Sequence, residues 1–219
     1  MEIVLVTLLG GLLALDGTSV GQFMLSRPLV AGTLLGWMLG EPALGVTVGA
    51  ILELYLLVSF PTGGSRFPEG ATATVVAVAS AAGSTTPGAL PLAIAVGLLW
   101  GQLGGVTITA LRHANSRLVP EPSRPPRGPA DVTLAHGIAL LLDFARGAAL
   151  TFSGVLLGRA VVSGFGVGWH LAPPASVALL LVGGSVSAGI LLRDLGGFRR
   201  RRTLLVAGMA LGILGARLL

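Results

Sequence analysis

Leu29-Val30-Ala31-Gly32-Thr33-Leu34-Leu35-Gly36-Trp37-Met38-Leu39-Gly40 is entered through Ser26-Arg27-Pro28 and closed by Glu41-Pro42, and holds no ionisable residue. As a helix this piece measures about 18 Å, against a hydrocarbon core of about 30 Å. It is apolar enough for lipid and too short to cross it. A second apolar segment, Ala43 to Phe60, follows at once and stops at Pro61-Thr62-Gly63-Gly64. Two short, Gly/Pro-bounded segments in succession predict a re-entrant hairpin or broken helices. Such backbone is tolerated at membrane depth only where protein or a polar cavity satisfies it.

The rest of the chain fits that setting. It is 53% hydrophobic and 11% charged, with a mean hydropathy of +0.88, where soluble domains carry about 25% charged residues. The fold class expected is an all-α integral membrane protein, a multi-span bundle with re-entrant hairpins and broken helices. Its 219 residues leave room for roughly six to eight passes. All 14 basic residues are arginine, and they cluster at segment ends where topology determinants sit. This argues against nucleic acid as a partner. With no cysteine, thiol catalysis and cysteine metal sites are excluded. Met1-Glu2-Ile3-Val4-Leu5 has no basic region and reads as a retained first segment rather than a signal peptide.

The first apolar stretch, Ile3 to Leu15, is interrupted at Asp16-Gly17-Thr18-Ser19 and resumes to Leu25. Ser65 to Gly70 is polar and predicts a break; Ala71 to Ala82 is a run of small residues; Gly83 to Gly88 predicts a loop. Leu90 to Leu111 is long enough to span. Val132 to Val162 predicts an interfacial turn and then a span, Ser176 to Leu192 a span, and Thr203 to Leu219 a short final span. Three parts follow: a core half with re-entrant segments, 1–112; an Arg/Pro-rich linker, 113–130, with Arg117, Arg124, Arg127 and five prolines; and C-terminal membrane helices, 131–219. The arginine-rich loops 112–127 and 193–202 are both expected to face the cytoplasm, with two crossings between them. Gly32, Gly36 and Gly40, then Gly45 and Gly49, then Gly97, Gly101 and Gly105 are spaced four apart, which predicts close helix packing.

Ionisable groups at membrane depth mark pathways or partners. Glu53 stands among leucines. A carboxylate accepts two hydroxyl hydrogen bonds at once, which suits a sugar; the alternative is a structural partner such as Arg27 or a backbone N–H. Asp16, at a helix break, reads as a cap for the next helix or as a substrate contact. Gln22 offers both donor and acceptor for hydroxyls. Arg66 and Glu69 flank Phe67-Pro68 and read as an ion pair or as gate contacts. Asp143 and Arg146 are spaced to pair on one helix. The scattered histidines His113, His136 and His170 predict no metal site, and no Ser-His-Asp arrangement can be argued. No catalytic residue and no cofactor is expected.

These residues also carry a resemblance. Leu25 to Gly36 with Leu39-Gly40-Glu41 resembles the RPL-(I/V)-A…LG…LGD stretch of phosphotransferase-system IIC subunits of the mannose/fructose/sorbose family. Gly49-Ala50-Ile51-Leu52-Glu53-Leu54 is similar to that family's G-x-x-L-E/Q segment. Pro61 to Ala71 is similar to its (I/V)-G-(A/G)…P-(D/E/N)-(A/G) loop, and His136 to Gly147 matches more weakly. The resemblance implies a sugar channel of the inner membrane, formed with a IID membrane subunit. A cytoplasmic IIB subunit, served by IIA, would phosphorylate the sugar as it emerges, so that this chain is no enzyme itself. It further implies a homo-oligomer of the IIC–IID pair, and it places Gln22, Glu53 and Glu69 in the stretches that line the sugar site. The alternative is a non-transporting regulatory or scaffold homologue.

Overall fold

The computed structural model describes residues 1–59, 65–119 and 128–218. Among them the chain forms eight helices and no strand: α1 (Glu2–Thr18), α2 (Pro28–Met38), α3 (Pro42–Tyr55), α4 (Gly70–Ala81), α5 (Ala89–Ser116), α6 (Pro129–Phe165), α7 (Pro173–Asp194) and α8 (Gly197–Leu218). The expected turn at Pro61-Thr62-Gly63-Gly64, and Arg124 and Arg127 of the linker, lie outside the described residues.

The α2–α3 hairpin is built from its punctuation. Arg27 is extended and Pro28 opens α2, where its missing N–H costs nothing. Gly40, at φ +78°, closes it: Glu41 N–H donates to Gly36 O at 2.8 Å and Gly40 N–H to Trp37 O at 3.2 Å. This left-handed cap satisfies the last carbonyls of α2, and Pro42 starts α3 immediately. Gly40 therefore makes the turn, and the helix packing belongs to the other four glycines. A Cβ on Gly32 would meet Gly45 O at 2.5 Å, and one on Gly36 would meet Gly45 Cα at 2.7 Å. The two backbones touch, as small residues in lipid permit.

One end of the bundle gathers the start of α1, the α2–α3 turn, the end of α4 and the start of α5 with the junction of α6 and α7. Gly83 N–H donates to Glu41 Oε1 at 2.7 Å, Gly88 N–H to Gly166 O at 3.0 Å, and Arg159 pairs with Glu2. From this end α1 to α4 reach only part of the way across. Glu69, just before α4, donates its N–H to Gly101 O at 2.8 Å, and Gly101 lies about 18 Å along α5. The inner ends of α1 to α4 thus meet partway along α5, inside the bundle.

α4 is the hub. Every residue from Ala71 to Ala81 is buried, enclosed chiefly by α5 and α6 and by the three other short helices. Its hydroxyls turn inward: Thr74 donates to Gly70 O at 2.7 Å and Ser80 to Val76 O at 2.6 Å. Gly97, Gly101, Gly104 and Gly105 of α5 seat α4 and the extended segment before it. A Cβ on Gly104 would meet Glu69 Oε2 at 2.6 Å, and one on Gly105 would collide with Phe67 O.

Several expectations change. Among the described residues three helices, α5, α6 and α7, are long and apolar enough to cross a membrane, fewer than the six to eight passes the chain length allows, because the first four run only 11 to 17 residues. α1 runs through Asp16 to Thr18, and residues 19–27 are irregular instead of continuing an apolar segment. α6 is one helix of 37 residues with no interfacial turn, since its charged residues Asp143 and Arg146 pair inward rather than ending it. α5 extends to Ser116, into the linker. The run Arg199–Arg202 lies inside α8, not in a loop. α8 is entered through Gly196 and begins at Gly197, both at positive φ, and packs on α7.

Exposed leucines, valines and phenylalanines on α1, α5, α6 and α7 form the outer surface, among them Leu12, Leu99, Phe152 and Val182. An apolar belt of this kind faces lipid or a membrane partner.

Candidate functional site

The converging helix ends enclose a cavity of about 70 Å³, lined by Thr18, Ser26, Arg27, Ser59, Glu69 and Gly70 among others. Two ion-paired groups flank it.

The deeper group centres on Arg146 of α6. Its guanidinium forks onto Glu69, with Nη2 to Oε1 at 2.7 Å and Nη1 to Oε2 at 3.0 Å. Nε and Nη2 also reach Asp143 Oδ1 at 3.1 and 2.9 Å, and Nη1 reaches Thr107 Oγ1 at 3.2 Å. The side chains of Arg146, Glu69 and Asp143 are 9%, 5% and 1% exposed. Glu69 Oε2 accepts from Thr72 Oγ1 at 2.9 Å, while Asp143 Oδ2 accepts from Thr18 and Ser19. Charges at this depth persist only when paired and hydrogen-bonded, and this network supplies both conditions. It links α1, α4, α5 and α6 at one point.

The second group is Arg27 with Glu53. Glu53 Oε1 accepts from Arg27 Nη2 and Oε2 from Leu29 N–H at 3.3 Å. The pair is partly open, with side chains 26% and 21% exposed. Of the two readings of Glu53, the structure supplies the partner that the structural one names.

Asp16 caps no helix. Its Oδ1 accepts from Phe23 N–H at 2.7 Å and its Oδ2 from Ser26 N–H at 2.8 Å, so it clamps the irregular 19–27 segment against the end of α1. Within that segment Gln22 is exposed, and it and Met24 hold φ of 55° and 64°. Arg66 is exposed in a separate bay with Gln102, Leu103 and Val106; Glu69 pairs with Arg146 and not with Arg66. The structure therefore puts Glu69 in the cavity lining, ties Asp16 and Glu53 to the lining residues Ser26 and Arg27, and leaves Gln22 and Arg66 outside the lining. The expected Asp143–Arg146 pair forms. Sequence reading missed that Arg146 also serves Glu69. A balance of charges at membrane depth was the available signal, since a buried carboxylate requires a cation.

The site offers carboxylates as acceptors, hydroxyls of both senses, and the first N–H groups of α4, which have no intrahelical acceptor, as donors. Among the described residues there is no cluster of three or more side chains fit to hold a metal, and the chain has no cysteine.

The family model for the phosphotransferase system (PTS) sorbose-specific IIC component matches residues 1–187, which covers α1 to most of α7. The mannose-specific EIIC component of Escherichia coli K12 is 31% identical over 120 residues, 52% of this chain and 44% of that protein. The sorbose-specific EIIC component of Lacticaseibacillus casei is 33% identical over 60 residues, 27% of this chain and 22% of that protein. The matched stretches thus span less than half the length of these curated relatives. A solved structure described as that of a membrane protein superposes with a TM-score of 0.68 at 19% identity, covering 99% of this chain and 94% of the other, and so shares the fold. A multi-pass helical membrane bundle whose first 187 residues match that model has one family assignment: the chain belongs to the sorbose-specific IIC component family of the phosphotransferase system.

Proposed function

We propose that this chain is the sugar-translocating IIC subunit of a phosphoenolpyruvate-dependent phosphotransferase system in the inner membrane, and that the mid-depth cavity is its sugar site. The observation that carries the reading is the meeting of four short helices inside the bundle, beside the buried Arg146–Glu69–Asp143 network. Broken helices of this kind are where transporter sites form. Thr18, Ser26 and Ser59 supply hydroxyls, Glu69 a carboxylate, and neither nucleophile nor metal chemistry is required of the chain. Gln22, Glu53, Asp16 and Arg66 border the path. Phosphoryl transfer then belongs to cytoplasmic IIA and IIB subunits, and a IID subunit covers part of the apolar belt in a multimer of the pair.

The test is uptake of labelled mannose and sorbose by cells lacking their own carriers, supplied with this chain and partner subunits. Ser26→Ala removes a lining hydroxyl. One neutral hydrogen bond is worth about 0.5–1.5 kcal/mol, so KM should rise between about two- and twelvefold. Normal insertion with no uptake of any hexose would instead favour the non-transporting homologue.

A further inference from the structure

The end of the bundle opposite the arginine-rich segments holds a second polar cavity. It measures about 650 Å³, against about 70 Å³ at mid-depth, and falls in the range of roughly 300–1,000 Å³ typical of small-molecule sites. Glu2, Glu41, Arg159, Ser84, Thr85 and Thr86 line it. Each charged group is anchored by part of its capacity. Arg159 donates from Nε to Ala79 O at 3.0 Å and from Nη2 to Glu2 Oε1; Glu41 Oε1 accepts from Gly83 N–H at 2.7 Å. Glu2 Oε2, Glu41 Oε2 and Arg159 Nη1 make no hydrogen bond among the described residues. The hydroxyls of Ser84 and Thr86 lie 3.0 Å apart.

We infer that this cavity is an outer loading site for a neutral, polyhydroxylated solute, a sugar captured before it enters the mid-depth site; the inference rests on the proposed transport function. Two carboxylates and one guanidinium of mixed sign suit a ligand that both donates and accepts better than they suit an ion. The cavity's position supports the assignment. Arginine-rich segments mark the cytoplasmic side, so this end faces outward. Ser80 lies at its floor, and buried α4 runs from there to Gly70 at the inner cavity. The two sites therefore sit at opposite ends of one enclosed helix, about 15 Å apart. The larger is open to the outside, whereas the smaller, at about 70 Å³, has to widen before it takes up a whole sugar.

The chain's lack of cysteine makes the test direct. Thr85→Cys in whole spheroplasts should react with a membrane-impermeant methanethiosulfonate. Mannose or sorbose at millimolar concentration should slow the reaction about fivefold or more, and should not slow it at Val167→Cys, exposed on the same end outside the cavity. Adding Glu41→Gln or Arg159→Gln should raise the protecting concentration about tenfold. Labelling of Thr85→Cys without protection, while the parent transports either sugar, overturns the loading site and leaves the transport reading intact. Protection without any uptake by the parent sinks the transport reading and keeps the site. Labelling from the cytoplasmic side alone overturns the loading site.

Discussion

Arg146 ties the ends of two short helices, α1 and α4, to the long α5 and α6, and its removal has a calculable cost. Arg146→Met would leave Glu69 and Asp143, 5% and 1% exposed, without a counter-charge. Breaking a buried pair from one side costs roughly 3–5 kcal/mol. A large fall in the unfolding midpoint in detergent is expected, with partial recovery when Glu69→Gln is added. Arg193→Gln, which loses a pair 76% and 59% exposed, should be nearly silent. Glu53 makes a different prediction. Its pair with Arg27 is partly open, so Glu53→Gln should fold and insert normally. If Glu53 also meets sugar, binding should weaken about tenfold, equivalent to about 1.4 kcal/mol; unchanged binding measured by calorimetry would leave Glu53 only as a strut for Arg27. Sequence made Glu53 conspicuous because its neighbours are leucines. It hid Glu69's partner, because Arg146 is 77 positions away and a local reading pairs each charge with its nearest opposite.

Among the elements, the α2–α3 hairpin was the most legible. Its length, its prolines and Gly32, Gly36, Gly45 and Gly49 each pointed to one tight, non-spanning unit. Gly45→Ala tests the contact, since a Cβ there meets Gly36 Cα at 2.7 Å and collides with Gly32 O. Overpacking of this kind costs about 1–3 kcal/mol and should appear as lower thermal stability, whereas Gly208→Ala on α8, where a Cβ meets nothing within 4 Å, should be neutral. The irregular 19–27 segment was not legible. Its shape depends on Asp16 accepting two backbone N–H groups from seven and ten residues ahead, a closure that no periodicity encodes. α6 was misjudged on length: Val132 to Val162 is longer than one crossing needs, and the excess read as an interfacial turn, whereas the helix runs unbroken.

For the whole molecule, charge placement gives orientation. α6 and α7 cross in opposite senses, and the end of α5 and the start of α8 share one end of the bundle. Single cysteines at Val119 and Gly196 should both be labelled only from the cytoplasm, while one at Val167 should be labelled from outside. Protection of Val119 and Gly196 on opposite faces would overturn this arrangement.

The encasement of α4 also has a consequence for how the protein is made. A segment that touches no lipid in the finished bundle gains nothing from entering lipid alone, and Glu69 at its start would enter as a bare charge. Its counter-ion leaves the ribosome 77 residues later, about 4–15 s behind at usual elongation rates. For that interval the first four helices must wait at the insertion machinery or in a water-filled vestibule, and the emergence of α6 is the event that lets them settle.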